Sequence, residues 1–106
     1  MKRTMVKNIH QYWVYMLTNK HRNVLYIGFT NNLERRMREH KSGAIPGYSN
    51  MYNCVMLVYF EEYNNVHQAI AREKQLKGWQ RSWKDALVVR MNPQWKDLSA
   101  DWDMCV

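Results

Sequence analysis

Cysteine is scarce in this 106-residue chain, which holds only Cys54 and Cys105, and they share neither zinc-knuckle nor redox-pair spacing. Two thiols so placed form no disulfide framework, so a reducing cytoplasm is the expected compartment. No apolar run approaches the roughly 20 residues that span a bilayer, so no membrane is expected as a partner. The basic start Met1 to Lys7 leads into Asn8, His10 and Gln11 rather than an apolar signal core, so export is not expected. Acidic residues are also few, 9 against 16 Lys and Arg, which leaves a formal charge of +7 and a pI near 9.6. That balance favours an acidic substrate or partner, nucleic acid ahead of anionic membrane.

What is present excludes a disordered basic tail. Apolar residues make up 46% and aromatics 13% of the chain, enough to offset chain entropy in one core but not in two. Tyr12 to Leu17 and Val24 to Phe29 read as strands joined by the polar stretch Thr18 to Asn23, hence an antiparallel hairpin. Gly28 near the end of the second strand implies a bulge or the close approach of another group. From Asn32 to Ser42 the period changes, and Leu33, Arg36, Met37 and His40 fall on one helical face. Asn31 with Glu34 has the form of a capping box, and Gly43 that of a stop. Ala44 to Asn53 has no period and reads as an ordered loop.

Cys54 to Phe60 is almost wholly apolar, the pattern of a strand covered on both faces and so expected to be central in its sheet. A second helix begins at Asn65, capped with Gln68, and ends at Gly78. Its inward stripe is Val66, Ala69, Ile70, Glu73 and Leu76. A third helix, Ser82 to Arg90, should carry Trp83, Ala86 and Leu87 inward, with Trp79, Trp83 and Trp95 as core. The expected fold is α+β: a small, mainly antiparallel three-stranded sheet flanked by helices, in the order β-β-α-β-α-α. Residues 1–10 form a lead, 11–98 the domain and 99–106 a loosely held tail.

Arg36, His40 and Glu73 break the apolar stripes, and a polar residue on a buried face needs a partner or a purpose. An Arg36–Glu73 ion pair and a satisfied histidine would account for them structurally. Tyr15 and Tyr26, which hairpin pairing could bring to one face, change the balance. Two phenols, a guanidinium, an imidazole and a carboxylate are the parts needed for metal-assisted phosphodiester cleavage.

Trp13-Val14-Tyr15, Tyr26-Ile27-Gly28, Asn32-Leu33-Glu34-Arg35-Arg36 with His40, and Ala71-Arg72-Glu73-Lys74 together resemble the GIY-YIG nuclease superfamily. Within it, the likeness is to small stand-alone bacterial proteins similar to the N-terminal nuclease domain of excinuclease C. The resemblance implies a divalent-metal-dependent DNA endonuclease, with selectivity for DNA structure and a link to repair or recombination as finer expectations. Tyr15, Tyr26, Arg36, His40 and Glu73 would be catalytic, with Glu73 holding one Mg2+ or Mn2+ and Gly28 belonging to the motif. Trp13 stands where the first half-motif has glycine, and Phe29 where the excinuclease domain tends to have lysine. Asn92 is a candidate for the family's late asparagine, with Asp85 nearby.

Arg35, Arg38, Lys41, Lys74, Lys77, Arg81 and Lys84 flank the expected site, as either a solvated basic face or one that tracks phosphates. Five phosphate contacts on duplex DNA would give a log affinity against log salt slope near −4 to −5. DNA ranks ahead of RNA as partner. A monomer or weak homodimer is expected, and a protein partner could supply specificity. The alternative function is a non-catalytic nucleic-acid-binding module on the same fold.

Overall fold

The computed structural model describes residues 10–102. Three strands, β1 (Tyr12–Thr18), β2 (Leu25–Thr30) and β3 (Met56–Tyr63), form an antiparallel sheet in the order β2-β1-β3. The helices are α1 (Leu33–Ser42), the short α2 (Tyr48–Met51), α3 (Val66–Lys77) and α4 (Arg81–Met91). The expected α+β class and element order therefore hold, with α2 added inside the segment read as a loop.

Alternation along the strands divides the interior in two. Val14 and Met16 of β1, with Ile27, Val58 and Tyr59, pack against Ala69 and Leu76 of α3 and Val88 of α4. On the opposite face Tyr15 and Leu17 join Leu57 and Cys54 beneath Leu33 and Met37 of α1. The sheet is thus sandwiched between α1 and the α3–α4 pair.

Three local expectations need correction. The central strand is β1, not the apolar β3. Both faces of β3 are covered, as its composition requires, while its outer edge is met at Leu57 by the C-terminal segment: Leu57 N–H donates to Asp97 Oδ1 and Leu98 N–H to Leu57 O, at 3.0 and 2.7 Å. The cap of α1 is Asn32, whose side chain accepts from Arg35 N–H at 3.0 Å, rather than an Asn31–Glu34 box. The α3 cap is as expected, with Asn65 accepting from His67 and Gln68 N–H. In α4 the fully buried residue is Val88, while Trp83 is 54% exposed and Ala86 is also exposed. Trp79 and Trp95 do pack against the core.

Ser99 is buried and Trp102 packs on the α1-side cluster, so residues 99–102 are held rather than loose. Residues 1–9 of the expected lead and 103–106 of the expected tail lie outside the described residues. Among the described residues no helix is long and apolar enough to cross a membrane.

Candidate nuclease site

The site grows out of the β1–β2 hairpin. Tyr15 pairs directly with Gly28 in the register. The Tyr15 ring lies across that glycine so closely that a Cβ at Gly28 would stand 2.4 Å from the phenolic oxygen. Gly28 is therefore the residue that makes room for the Tyr15 hydroxyl, the close approach its position suggested. Tyr26, two residues earlier on β2, shares this face, with its ring centroid 6.3 Å from that of Tyr15.

The third ring comes from α1. His40 is 4% exposed and stands edge-on to both tyrosines, 5.7 Å from Tyr15 and 5.4 Å from Tyr26 between centroids. Its Nε2 is hydrogen-bonded to the Tyr15 hydroxyl at 2.9 Å, and its Nδ1 to Ser49 Oγ at 3.1 Å. Ser49 belongs to α2 and escaped the sequence reading, because nothing periodic marks the segment that carries it. Positive φ angles at Gly43 and Gly47, 77° and 109°, turn that segment back over α1. Ser49 O accepts from Cys54 N–H at 2.8 Å, which ties it to the lead-in of β3.

Arg36 lies one turn before His40. Among the described residues its Nε is the buried side-chain nitrogen or oxygen without a hydrogen-bond partner, and the nearest ion-pair oxygen, Glu39 Oε1, is 3.7 Å away. An unsatisfied guanidinium donor is costly to bury and is ready for an anion. The Arg36–Glu73 pair considered from sequence does not form. Glu73 is instead bonded to Lys77 Nζ at 2.9 Å, one turn along α3.

The electrostatics show that these groups act on one another. Burial first, and then the neighbouring Tyr26, push the Tyr15 phenol well above its ordinary range, against the opposing charge of Arg36; Glu73 and Glu39 also raise it. Tyr15 is thus a neutral phenol at physiological pH, and Glu73 lies within electrostatic reach of it. Burial, reinforced by the Arg36 charge, pushes His40 down to about 4, so its imidazole is neutral near pH 7.

An open cleft of about 270 Å³ adjoins this cluster, lined by Leu25, Tyr26, Ile27, Tyr48, Lys77 and Lys84. The structure thus sets Lys77 and Lys84 beside Tyr26. Several of the other predicted cations are engaged elsewhere. Lys41 is held by Asp97 at 2.8 Å, and Arg81 is held by Asp85 and by the carbonyls of Arg22 and Asn23. Arg35 faces Glu39 and Asn31, while Arg38 and Lys74 are carried on α1 and α3. Asn92 lies on the α4 end of β3, where its amide donates to the carbonyls of Val58 and Lys96 and accepts from Lys96 N–H. All of its side-chain polar atoms are thus used by the backbone.

A second charged group, Glu61 with Arg72, Tyr59 and Tyr63, lies on the α3–α4 side. Arg72 grips Glu61 through Nε and Nη2 at 2.9 Å each and lies 5.2 Å from the Trp79 ring centroid. Both tyrosine hydroxyls donate to the same carboxylate. These bonds satisfy one another and leave the group closed.

For a metal, Glu73 offers one hard oxygen donor group, and among the described residues no three His, Cys, Asp or Glu side chains cluster to hold an ion alone. The Glu73 carboxylate already accommodates a cationic group, the Lys77 ammonium, and its side chain is 20% exposed. Magnesium commonly binds through one or two carboxylates with water and phosphate oxygens completing its shell, so this residue fits such an ion.

Similarity to known proteins decides the family. The GIY-YIG catalytic domain model matches residues 11–86. This chain is a GIY-YIG family protein. Its relatives include UPF0213 proteins, a group of small proteins within that superfamily. That of Clostridium perfringens is 40% identical over 76 residues, covering 72% of this chain and 81% of the relative. That of Haloquadratum walsbyi is 38% identical over 64 residues, covering 60% and 72%. The solution NMR structure of the UPF0213 protein from Bacillus halodurans shares the fold, with a TM-score of 0.54 and 24% identity, covering 86% of this chain and 95% of that one. GIY-YIG is a nuclease fold whose members act on nucleic acid and generally depend on divalent metal.

Proposed function

We propose that this protein is a divalent-metal-dependent endonuclease that hydrolyses phosphodiester bonds in DNA. The observation that carries the reading is the convergence of Tyr15, Tyr26 and His40 from three elements beside the unpartnered Arg36 donor, with Glu73 in electrostatic reach. A structural core has no need of such a combination, and a surface that only binds nucleic acid needs cations but not a buried phenol–imidazole pair.

Each side chain has a role. Arg36, whose side chain is partly exposed and only loosely paired with Glu39, takes a phosphate oxygen through its guanidinium and meets the charge that develops there. Glu73 would hold the metal ion, which when bound would supply Lewis-acid stabilisation of developing negative charge. Tyr15 cannot serve as a pre-ionised base, since burial holds its proton firmly. It works instead as a relay: the attacking water gives a proton to the Tyr15 oxygen as Tyr15 gives its own to His40 Nε2. His40 starts as a weak base, but a phosphate seated on Arg36 offsets the positive charge that helps depress it. Tyr26 lines the cleft and orients the scissile phosphate. Lys77 and Lys84 steer the flanking backbone into the cleft.

The test incubates the full chain with supercoiled, branched and single-stranded DNA, and with RNA, in Mg2+, in Mn2+ and in chelator. Metal-dependent nicking or cutting of a DNA substrate is expected. Binding without cleavage of any substrate in either metal would instead establish a non-catalytic module.

A further inference from the structure

We propose that Ser49 is a positioning residue that fixes the tautomer of His40, with the proton on Nδ1 and Nε2 left bare to receive the Tyr15 proton. The inference rests on the relay described above but is argued from hydrogen-bond accounting alone. A neutral imidazole has one N–H donor and one acceptor nitrogen, and what each nitrogen meets decides which is which. His40 meets two hydroxyls, Tyr15 at Nε2 and Ser49 at Nδ1, in a setting where all three residues are at most 4% exposed.

Either tautomer leaves one hydroxyl proton without a place on the ring. The Tyr15 hydroxyl is pressed against Gly28, and His40 is its hydrogen-bonding partner among the described residues, so leaving the phenol proton over would bury a strong donor unpaired. The serine hydroxyl rotates freely about its Cβ–Oγ bond and is the cheaper one to leave over. Tyr15 therefore donates to Nε2, Nδ1–H donates to Ser49 Oγ, and Ser49 acts as the acceptor.

The consequence is directional. When water loses a proton to the Tyr15 oxygen, the phenol proton crosses to the bare Nε2, and Nδ1–H stays on Ser49 Oγ throughout. Water loses one proton, His40 gains one, and Tyr15 ends as it began. With the opposite tautomer Nε2 would already carry a proton and the relay would be blocked. The placement is built by the fold: Gly43 and Gly47 turn the chain back, and the Cys54 N–H bond to Ser49 O fixes the serine backbone.

The experiment reads the tautomer directly, by two-bond 15N–1H correlation of the His40 ring in the uniformly 15N-labelled full chain near pH 7. The wild-type protein should show Nδ1 protonated and Nε2 bare, and Nε2–H in the wild type would overturn the proposal whether or not the chain cuts DNA. Ser49→Ala leaves Nδ1–H without its acceptor, so that each tautomer buries one unpaired donor, and should give a mixed tautomer, with kcat lower by about tenfold or more and KM within about twofold. Ser49→Thr, which keeps the hydroxyl, should restore both. An unchanged His40 tautomer in Ser49→Ala would refute the assignment, as would a Ser49→Thr protein that behaves like Ser49→Ala. Absence of cleavage by every form, with the tautomers as predicted, would overturn the nuclease reading and leave the serine's role standing.

Discussion

Mild acid should destabilise this protein through His40. In the folded chain burial and the Arg36 charge hold the imidazole pKa down at about 4, against 6.5 for the free side chain. The folded state resists a proton that the unfolded state takes readily, so the stabilisation is complete above 6.5 and is lost as pH falls towards 4. Integrating the linkage between pH 7 and pH 5 gives a loss of about 2 kcal/mol from this residue. The window is well chosen, because the depressed carboxylates Glu61 and Asp97 contribute losses only nearer and below their ordinary values of 4.5 and 3.8. The groups facing His40 are Tyr15, Tyr26, Ser49, Arg36 and Glu39, of which Glu39 opposes the depression. The assay is urea denaturation at half-unit steps from pH 7 to pH 5, for the wild type beside His40→Gln. Whatever the variant's absolute stability, its curve should be flatter by about 2 kcal/mol across the window, since other groups titrate in both proteins. Parallel curves would refute the account of a buried neutral histidine.

Three further outcomes follow from the same geometry. Gly28→Ala places a methyl 2.4 Å from the Tyr15 oxygen, so the phenol must leave His40; a loss of about 1–3 kcal/mol by chemical denaturation and loss of cleavage are expected. Asn92→Ala removes three bonds to the backbone of Val58 and Lys96 and should cost about 2–3 kcal/mol, with the thermal midpoint as readout. Because Lys41 and Arg81 are held by Asp97 and Asp85, fewer cations are free for phosphate than the sequence count implied. With about four duplex phosphate contacts, from Arg36, Arg38, Lys74 and Lys84, the log affinity against log salt slope should lie between about −3 and −4, measured by fluorescence anisotropy.

The ring cluster was legible because it depends on periodicity. Alternation on β1 and β2 puts Tyr15, Tyr26 and Gly28 on one face, and helical spacing puts Arg36 and His40 one turn apart. Glu73 stood out for the same reason, as a carboxylate in an apolar row. Ser49 was not legible, since its position depends on two left-handed glycines within a stretch that has no period. The place of β3 in the sheet is not legible in its sequence, because apolar faces report cover from above and below, not a neighbour at the side. Asp97 and Leu98 meet that edge at Leu57 from far along the chain. The exposure of Trp83 is not legible either, because helical spacing says which residues share a face and not whether that face is covered.

The most direct measurement of the central claim is the single-turnover cleavage rate in Mg2+ or Mn2+ of the wild type beside Glu73→Gln and Arg36→Met. The circular dichroism and DNA affinity of each protein should be recorded alongside. Both variants should fold and bind, with cleavage slower by about a hundredfold or more. Metal-dependent cutting within a few-fold of the wild-type rate in either variant would contradict the roles given to Glu73 and Arg36.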